Sequence, residues 1–225
     1  DQGYEFVARS HSDEYAIIGG LGGCSDGLRL DHRDYETHFA EVHVPHSTAL
    51  QSRRIPSGKE YFVGPLARVN LNRRQLSPAA QRIADEIDFE TPCVNPYRGI
   101  IARAIEVVHA FDEGLQLLKG YHPSAKPRVE FTIQPGQGCA VTEAPRGLIY
   151  HRYQVAQDGQ IEFAKIVPPT SQNQSQIEMD LRRLLPGIMA KTDEDIAKEC
   201  EELVRSYDPC ISCSTHFLQV KIQRN

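Results

Sequence analysis

Between Asn95-Pro96 and Gly120 the apolar side chains Ile101, Ala104, Val108, Phe111, Leu115 and Leu118 recur at intervals of three and four. That spacing draws one stripe along a helix of about six turns. Asn95 offers a capping side chain, Pro96 suits a first helical turn, and Gly120 ends the run. The expected helix covers 97–119. A stripe this short suits a buried helix in a bundle better than a coiled coil, so the chain must build a helical layer that covers it.

Other segments add strands. Ser77-Pro78 opens a short helix running to about Ile87, and Ile177, Leu181, Leu184 and Leu185 mark another over 175–186. Thr192 with Asp195 starts a last one over 193–206, with a stripe of Ile196, Cys200, Leu203, Val204 and Tyr207. Residues 148–167 alternate around Asp158-Gly159, which predicts a hairpin near 150–166. Tyr4 to Val7 is strand-like, and residues 47–65 predict two short strands about the turn Pro56-Ser57-Gly58. The expected fold class is α+β, helix-dominated, as a single domain over 1–225.

With 40% hydrophobic and 24% charged residues and a net charge of −5, the chain can bury a core and is not a disordered tail. The mild acidity, without a basic stripe, argues against nucleic acid as a partner. No apolar run approaches the roughly 20 residues of a membrane span. The first residue is Asp1, which points to a chain processed or cut from a longer one.

Two glycine- and histidine-rich features carry little chemistry. Gly19-Gly20-Leu21-Gly22-Gly23 lacks the Lys-Ser/Thr of a phosphate loop and reads as a tight turn. His38, His43 and His46 lie close together, but Pro45 intervenes and no Cys or Glu completes a ligand spacing; they read as structural or surface histidines.

Of six cysteines, Cys24, Cys93, Cys139 and Cys200 are scattered, and Cys200 falls on a core stripe. A chain of this length needs no disulfide staples, which suits a reducing compartment. Only Cys210 and Cys213 form a C-x-x-C pair, with His216 three residues on. Such a turn can point two sulfurs at one ion. On residues alone, half of a zinc site, a redox pair and a softer-metal site all stay open. The pair follows a helix, which lowers the redox reading.

The run Asp208-Pro209-Cys210-Ile211-Ser212-Cys213-Ser214-Thr215-His216 resembles the C-terminal signature of nickel–iron hydrogenase large subunits. Two more segments match in the family's order: Thr142-Glu143-Ala144-Pro145-Arg146-Gly147 with Tyr150-His151-Arg152-Tyr153, and Val167-Pro168-Pro169-Thr170-Ser171-Gln172-Asn173-Gln174. Upstream, Val44-Pro45-His46-Ser47 and Val63-Gly64-Pro65-Leu66-Ala67-Arg68 are also similar, so the resemblance covers most of the chain. It is nearest to the soluble cytoplasmic members that couple to nicotinamide or deazaflavin cofactors.

The resemblance implies the C-terminal part of the large-subunit fold and a nickel held by four thiolates, two of which bridge to an iron carrying carbon monoxide and cyanide. Cys210 would be a terminal nickel ligand and the base that takes the proton, and Cys213 a bridging ligand. Arg146 would project over the open metal position, oriented by Asp208. Pro145, Thr170 and Ser171 would sit at the cofactor, with Thr170 or Ser171 donating to a cyanide nitrogen. His216 would ligate a magnesium or similar ion. The family's other two thiolates come from a C-x-x-C near the N-terminus that is missing here, which implies a fragment. Implied partners are an iron–sulfur small subunit, a diaphorase or other electron-transfer subunit, and maturation factors. The nine residues after His216 are either a tail for removal on maturation or a retained end. Two other readings follow from the same residues: a zinc-stabilised interaction module and a non-catalytic hydrogenase-like subunit.

Overall fold

The computed structural model describes residues 3–210 and 220–223. Among the described residues, three small antiparallel sheets pack with six α-helices. The first sheet joins β1 (Val7–Ser10), β2 (Leu21–Cys24) and β3 (Arg29–Leu30). A four-residue turn of helix, α1 (Tyr35–His38), leads into the hairpin of β4 (Phe39–Val44) and β5 (Ser47–Arg54). The third sheet orders β6 (Gly136–Ala144), β7 (Gly147–Val155) and β8 (Ile161–Val167). The long helices are α2 (Pro65–Asn72), α3 (Pro78–Glu86), α4 (Gly99–Lys119), α5 (Pro169–Ile188) and α6 (Asp193–Ser206).

Local chemistry explains most boundaries. Ser77 accepts a hydrogen bond from the Ala80 N–H, and Thr192 accepts one from Asp195, so both expected caps form. Asp158-Gly159 turns β7 into β8 with Gly159 at φ +85°. One core joins Leu66, Val69, Ala80, Ala84, Ala102 and Ile105 beneath the helices, with Phe6 and Phe62 at its edge. A second joins Val7, Tyr35, Phe39, Tyr61, Val141, Leu148 and Tyr150 between the sheets. Cys200 is buried beside Ile188 and Ile196 at the α5–α6 end.

Four expectations need correction. The glycine run is not simply a turn: Gly22 and Gly23 lie in β2, paired with β3 and β1, and only Gly20 adopts a left-handed φ of +78°. Residues 47–65 are not a hairpin. β5 pairs upstream with β4, while Phe62 exchanges backbone hydrogen bonds with the 5–7 segment. The Asn173 side chain serves Val63 as a neighbouring strand would, accepting from its N–H at 2.8 Å and donating to its carbonyl at 3.0 Å.

Helix α4 spans the expected residues, but its buried line is Ala102, Ile105 and His109. Phe111, Leu115 and Leu118 on the expected stripe are 72%, 58% and 69% exposed. The reason is that α2 and α3 pack only along the N-terminal half of α4. The helix expected over 175–186 starts earlier, because Pro169 sits at its first turn, where a missing N–H costs nothing. Thr170 and Ser171 are thus helical and buried, not in a turn.

In the third sheet Glu36 gathers Tyr150 (2.8 Å), Arg152 (2.6 Å) and Lys165 (2.9 Å). Burial works to raise its pKa, but the hydrogen bonds from Lys165, Tyr150 and Arg152 prevail and hold it at about 2. Stability from this cluster is therefore fully present above about pH 4.5 and fades as pH falls toward 2. Glu36→Gln should remove that acid-dependent part. In paired denaturation curves the wild-type advantage should shrink between those two pH values; an advantage independent of pH would refute the assignment.

Candidate functional site

Two glycines cross where β7 begins. Gly64 (φ +112°) and Gly147 (φ +136°) lie so close that a Cβ on Gly147 would stand 2.5 Å from Val63 Cγ2 and 2.9 Å from the Gly64 nitrogen. A Cβ on Gly64 would stand 2.7 Å from the Arg146 carbonyl oxygen. Only glycines let the entry to α2 rest against the Pro145-Arg146-Gly147 turn. Gly147→Ala should therefore cost about 2–3 kcal/mol of stability, through overpacking and strained backbone. Chemical denaturation measures this, and an unchanged midpoint would contradict it.

Behind that turn lies a buried ion network. Arg68, with 4% of its side chain exposed, binds Glu106 through Nε (2.6 Å) and Nη2 (2.7 Å) and Glu143 through Nη1 (2.8 Å). It also donates to the carbonyls of Ala144 (2.9 Å) and Pro145 (3.1 Å). Burial pushes the Glu143 carboxyl up, and Arg68 with the Arg9 N–H pulls it back. Burial works to lower the Arg68 pKa, but Glu106 and Glu143 outweigh it and raise it above the ordinary value. Tyr15 completes the cluster by donating to Glu106 at 2.6 Å.

On the other side of the turn Arg146 reaches the end of α6. Its Nε donates to the Asp208 carbonyl at 2.6 Å, and its Nη2 to Asp208 Oδ1 at 3.3 Å. Asp208 Oδ2 also lies 3.2 Å from Arg146 Nε. The expected Arg146–Asp208 pair is thus formed, with both side chains about two-fifths exposed. Asp208 sits at φ +50°, a left-handed conformation that turns the chain out of α6 toward Cys210. Just before it, Tyr207 donates to the buried Asp180 carboxylate, which also takes hydrogen bonds from Tyr4 (2.7 Å), Gln176 (3.0 Å) and Arg183 (3.2 Å). Asp180 therefore anchors the end of α6 to α5.

Cys210 is half-buried, and its N–H donates to Thr170 Oγ1 at 3.1 Å. Thr170 is 3% exposed. Ser171 is equally buried, but its hydroxyl donates to the Pro168 carbonyl at 2.9 Å. The fold thus gathers Pro145, Arg146, Thr170, Asp208 and Cys210. Cys213 and His216 lie outside the described residues. Of the three upstream histidines, His46 contacts Glu178 at 2.9 Å on the surface.

The donor chemistry at this place suits a soft metal. A half-buried thiol lies two residues beyond a carboxylate that already carries a guanidinium. Among the described residues, the group that brings three metal-binding atoms together is elsewhere: Glu5, Cys24 and Asp26. Arg54 occupies it, 3.0 Å from Glu5, 3.2 Å from Asp26 and 3.0 Å from Cys24 Sγ. Burial pushes the Cys24 thiol up to about 11, so it is protonated and cation-paired rather than a ligand.

The residues that sequence alone missed are Arg103, Glu106 and Asp180; Arg68 stands in a family-like run, but with no role assigned to it. Arginines and carboxylates on helices read as solvated faces, and no motif distinguishes them.

Comparison with known proteins identifies the family of the chain. A family model described as nickel-dependent hydrogenase matches residues 54–216. The chain is 30% identical over 216 residues to sulfhydrogenase 1 subunit alpha of Pyrococcus furiosus, covering 95% of this chain and 50% of that protein. It is 31% identical over 203 residues to NAD-reducing hydrogenase HoxS subunit beta of Cupriavidus necator, covering 84% of this chain and 41% of that protein. The solved structure of an NAD+-reducing NiFe-hydrogenase in the H2-reduced state superposes with a TM-score of 0.75 at 25% identity, over 95% of this chain and 51% of that one. The Dm. baculatum NiFeSe-hydrogenase, at 20% identity and a TM-score of 0.65, shares the fold over 94% of this chain and 52% of its own. The chain spans about half the length of the curated relatives it matches. Among the described residues no helix is long and apolar enough to cross a membrane. With a model match over most of its length and the large-subunit architecture, this chain belongs to the nickel-dependent hydrogenase family.

Proposed function

We propose that the chain is the C-terminal part of the catalytic subunit of a nickel–iron hydrogenase, oxidising hydrogen reversibly by heterolytic cleavage. The observation that carries this is the Arg146 guanidinium held by Asp208, two residues from the Cys210 thiol, with Cys210 itself tied to Thr170. A bound nickel–iron centre supplies Lewis acidity that makes hydrogen acidic enough to split.

The chain's own residues do the rest. Cys210 would hold nickel through its thiolate, and its sulfur would serve as the general base for the proton. Arg146, fixed on Asp208 two residues before Cys210, would add a fixed positive charge that lowers the cost of charge separation without reorganisation. Asp208 keeps the guanidinium in place by charge-assisted hydrogen bonds. Thr170 accepts from the Cys210 N–H, which leaves its own O–H to donate to a cyanide on the iron; Ser171 has its proton committed to Pro168. Pro145, exposed beside Arg146, helps to wall the site from solvent.

Within this reading Cys213 would supply a second thiolate to the metal centre, and His216 would hold a magnesium or similar ion. The remaining two thiolates come from the half of the subunit that the relatives have and this chain does not cover. Carbon monoxide and cyanide complete the iron. Electrons leave through an iron–sulfur small subunit, then a diaphorase or similar subunit, in the cytoplasm, after maturation factors have installed the metals.

Elemental analysis and hydrogen-dependent dye reduction test the reading on the purified complete complex. About one nickel and one iron in the catalytic subunit, beyond the cluster iron of the small subunit, with hydrogen-dependent turnover, are expected. Zinc at one per chain without nickel or iron would replace it with a zinc-held interaction module. Neither metal nor turnover would fit a non-catalytic subunit of the same fold.

A further inference from the structure

A second guanidinium reaches the same carboxylate. Arg103 of α4, with 24% of its side chain exposed, places Nη2 3.1 Å from Asp208 Oδ2 and donates from Nη1 to the Pro145 carbonyl at 3.3 Å. It therefore touches both sides of the Arg146 arrangement: the carbonyl just before Arg146 and the carboxylate that holds it. Glu106 follows Arg103 by three residues, on the same face of α4, and binds Arg68, which also donates to Pro145. One face of α4 thus fixes the turn that carries Arg146.

The charge arrangement gives this contact a consequence. Asp208 is shared by two cations. Arg146 spends Nε and Nη2 on Asp208, while its Nη1 makes no hydrogen bond among the described residues. Arg146 meets both carboxylate oxygens of Asp208, with Nε 3.2 Å from Oδ2 and Nη2 3.3 Å from Oδ1, and Arg103 shares Oδ2. Without Arg103 the carboxylate would be held by Arg146 alone, and the two could turn together away from Pro145. We propose that Arg103 is a positioning residue for this site, tying Asp208 to the Pro145 carbonyl so that the Arg146–Asp208 pair keeps its orientation toward the reacting centre. The proposal rests on the hydrogenase reading above.

The test compares Arg103→Gln, Arg103→Lys and the double variant Arg103→Gln/Asp208→Asn in the complete enzyme. Arg103→Gln should lower kcat for hydrogen oxidation about tenfold, with KM within about twofold and nickel and iron content unchanged. Arg103→Lys keeps a cation at Asp208 and should restore activity to within about threefold of wild type. Because Arg103 acts mainly through Asp208, Arg103→Gln should add less than about twofold in the Asp208→Asn background, measured against Asp208→Asn alone. The crystal structure of Arg103→Gln should show Asp208 and the Arg146 guanidinium displaced together away from Pro145. Wild-type kcat, losses that multiply in the double variant, an unmoved Arg146, or loss of folding or metals in Arg103→Gln would each overturn the proposal. A wild-type complex without nickel or turnover would instead fail the hydrogenase reading, and the position of Arg146 in the variant crystal would still decide the positioning claim.

Discussion

Cys210→Ser in the complete catalytic subunit should empty the nickel site and lower hydrogen uptake more than about a thousandfold. The substitution changes one atom, sulfur to oxygen, so packing at this half-buried position is nearly kept. The backbone N–H of residue 210 can still donate to Thr170, and the turn through Asp208 does not depend on the side chain at 210. What changes is ligand chemistry. A thiol deprotonates at a metal and binds soft ions tightly, whereas a serine hydroxyl does neither at neutral pH. In the proposed reaction the same sulfur would be the base, so residual nickel would not restore turnover. Elemental analysis, activity and thermal melting should be read together. Lost nickel with an unchanged melting profile of the apoprotein is the expected result, and full nickel with full uptake would refute the ligand role.

Arg146→Lys should leave the metals in place and reduce kcat by roughly a hundredfold. Lysine keeps the charge but cannot reproduce the fork that meets the Asp208 carbonyl and carboxylate together. Its ammonium would settle on one oxygen of Asp208, and the donor aimed past it would be lost. Since Arg146 is not among the proposed metal ligands, nickel and iron content should match wild type. A variant with wild-type kcat would remove Arg146 from the reaction, and one lacking metal would make the residue structural.

Sequence showed the fold best where a local signal and a tertiary partner agreed. The Thr192 cap and the apolar stripe of α6 define that helix, and Ile196, Cys200 and Leu203 are indeed its buried side. Asp158-Gly159 likewise marks the β7–β8 turn. β6 was not foreseen because Gly136, Gln137 and Gly138 face solvent and show no apolar alternation. The stripe on α4 was real as a pattern but not as a buried face, since nothing among the described residues covers Phe111, Leu115 or Leu118. Polar burial was least legible. Gln172 and Asn173 are buried because their amides satisfy the backbone of β7 and of residue 63, a demand that exists only after the chain has folded.

The candidate site divides in the same way. Arg146, Asp208, Thr170 and Cys210 were singled out by motif context, and the structure brings those four together. Arg68 and Arg103 hold the same turn from behind, with Glu106 fixing Arg68; Arg103 and Glu106 leave no trace in the sequence beyond ordinary helix polarity, and Arg68 shows only as part of a family-like run. Asp180 is similar: a carboxylate in a helix with four donors drawn from three separate segments. Its burial is intelligible only once α5, α6 and the N-terminal strand region meet.

The most direct measurement is anomalous X-ray diffraction at the nickel edge on crystals of the complete enzyme. A single strong nickel peak within thiolate bonding distance of Cys210 Sγ, on the side faced by the Arg146 guanidinium, is the predicted result. A peak that appears only at the zinc edge, or a nickel site away from Cys210, would contradict the account.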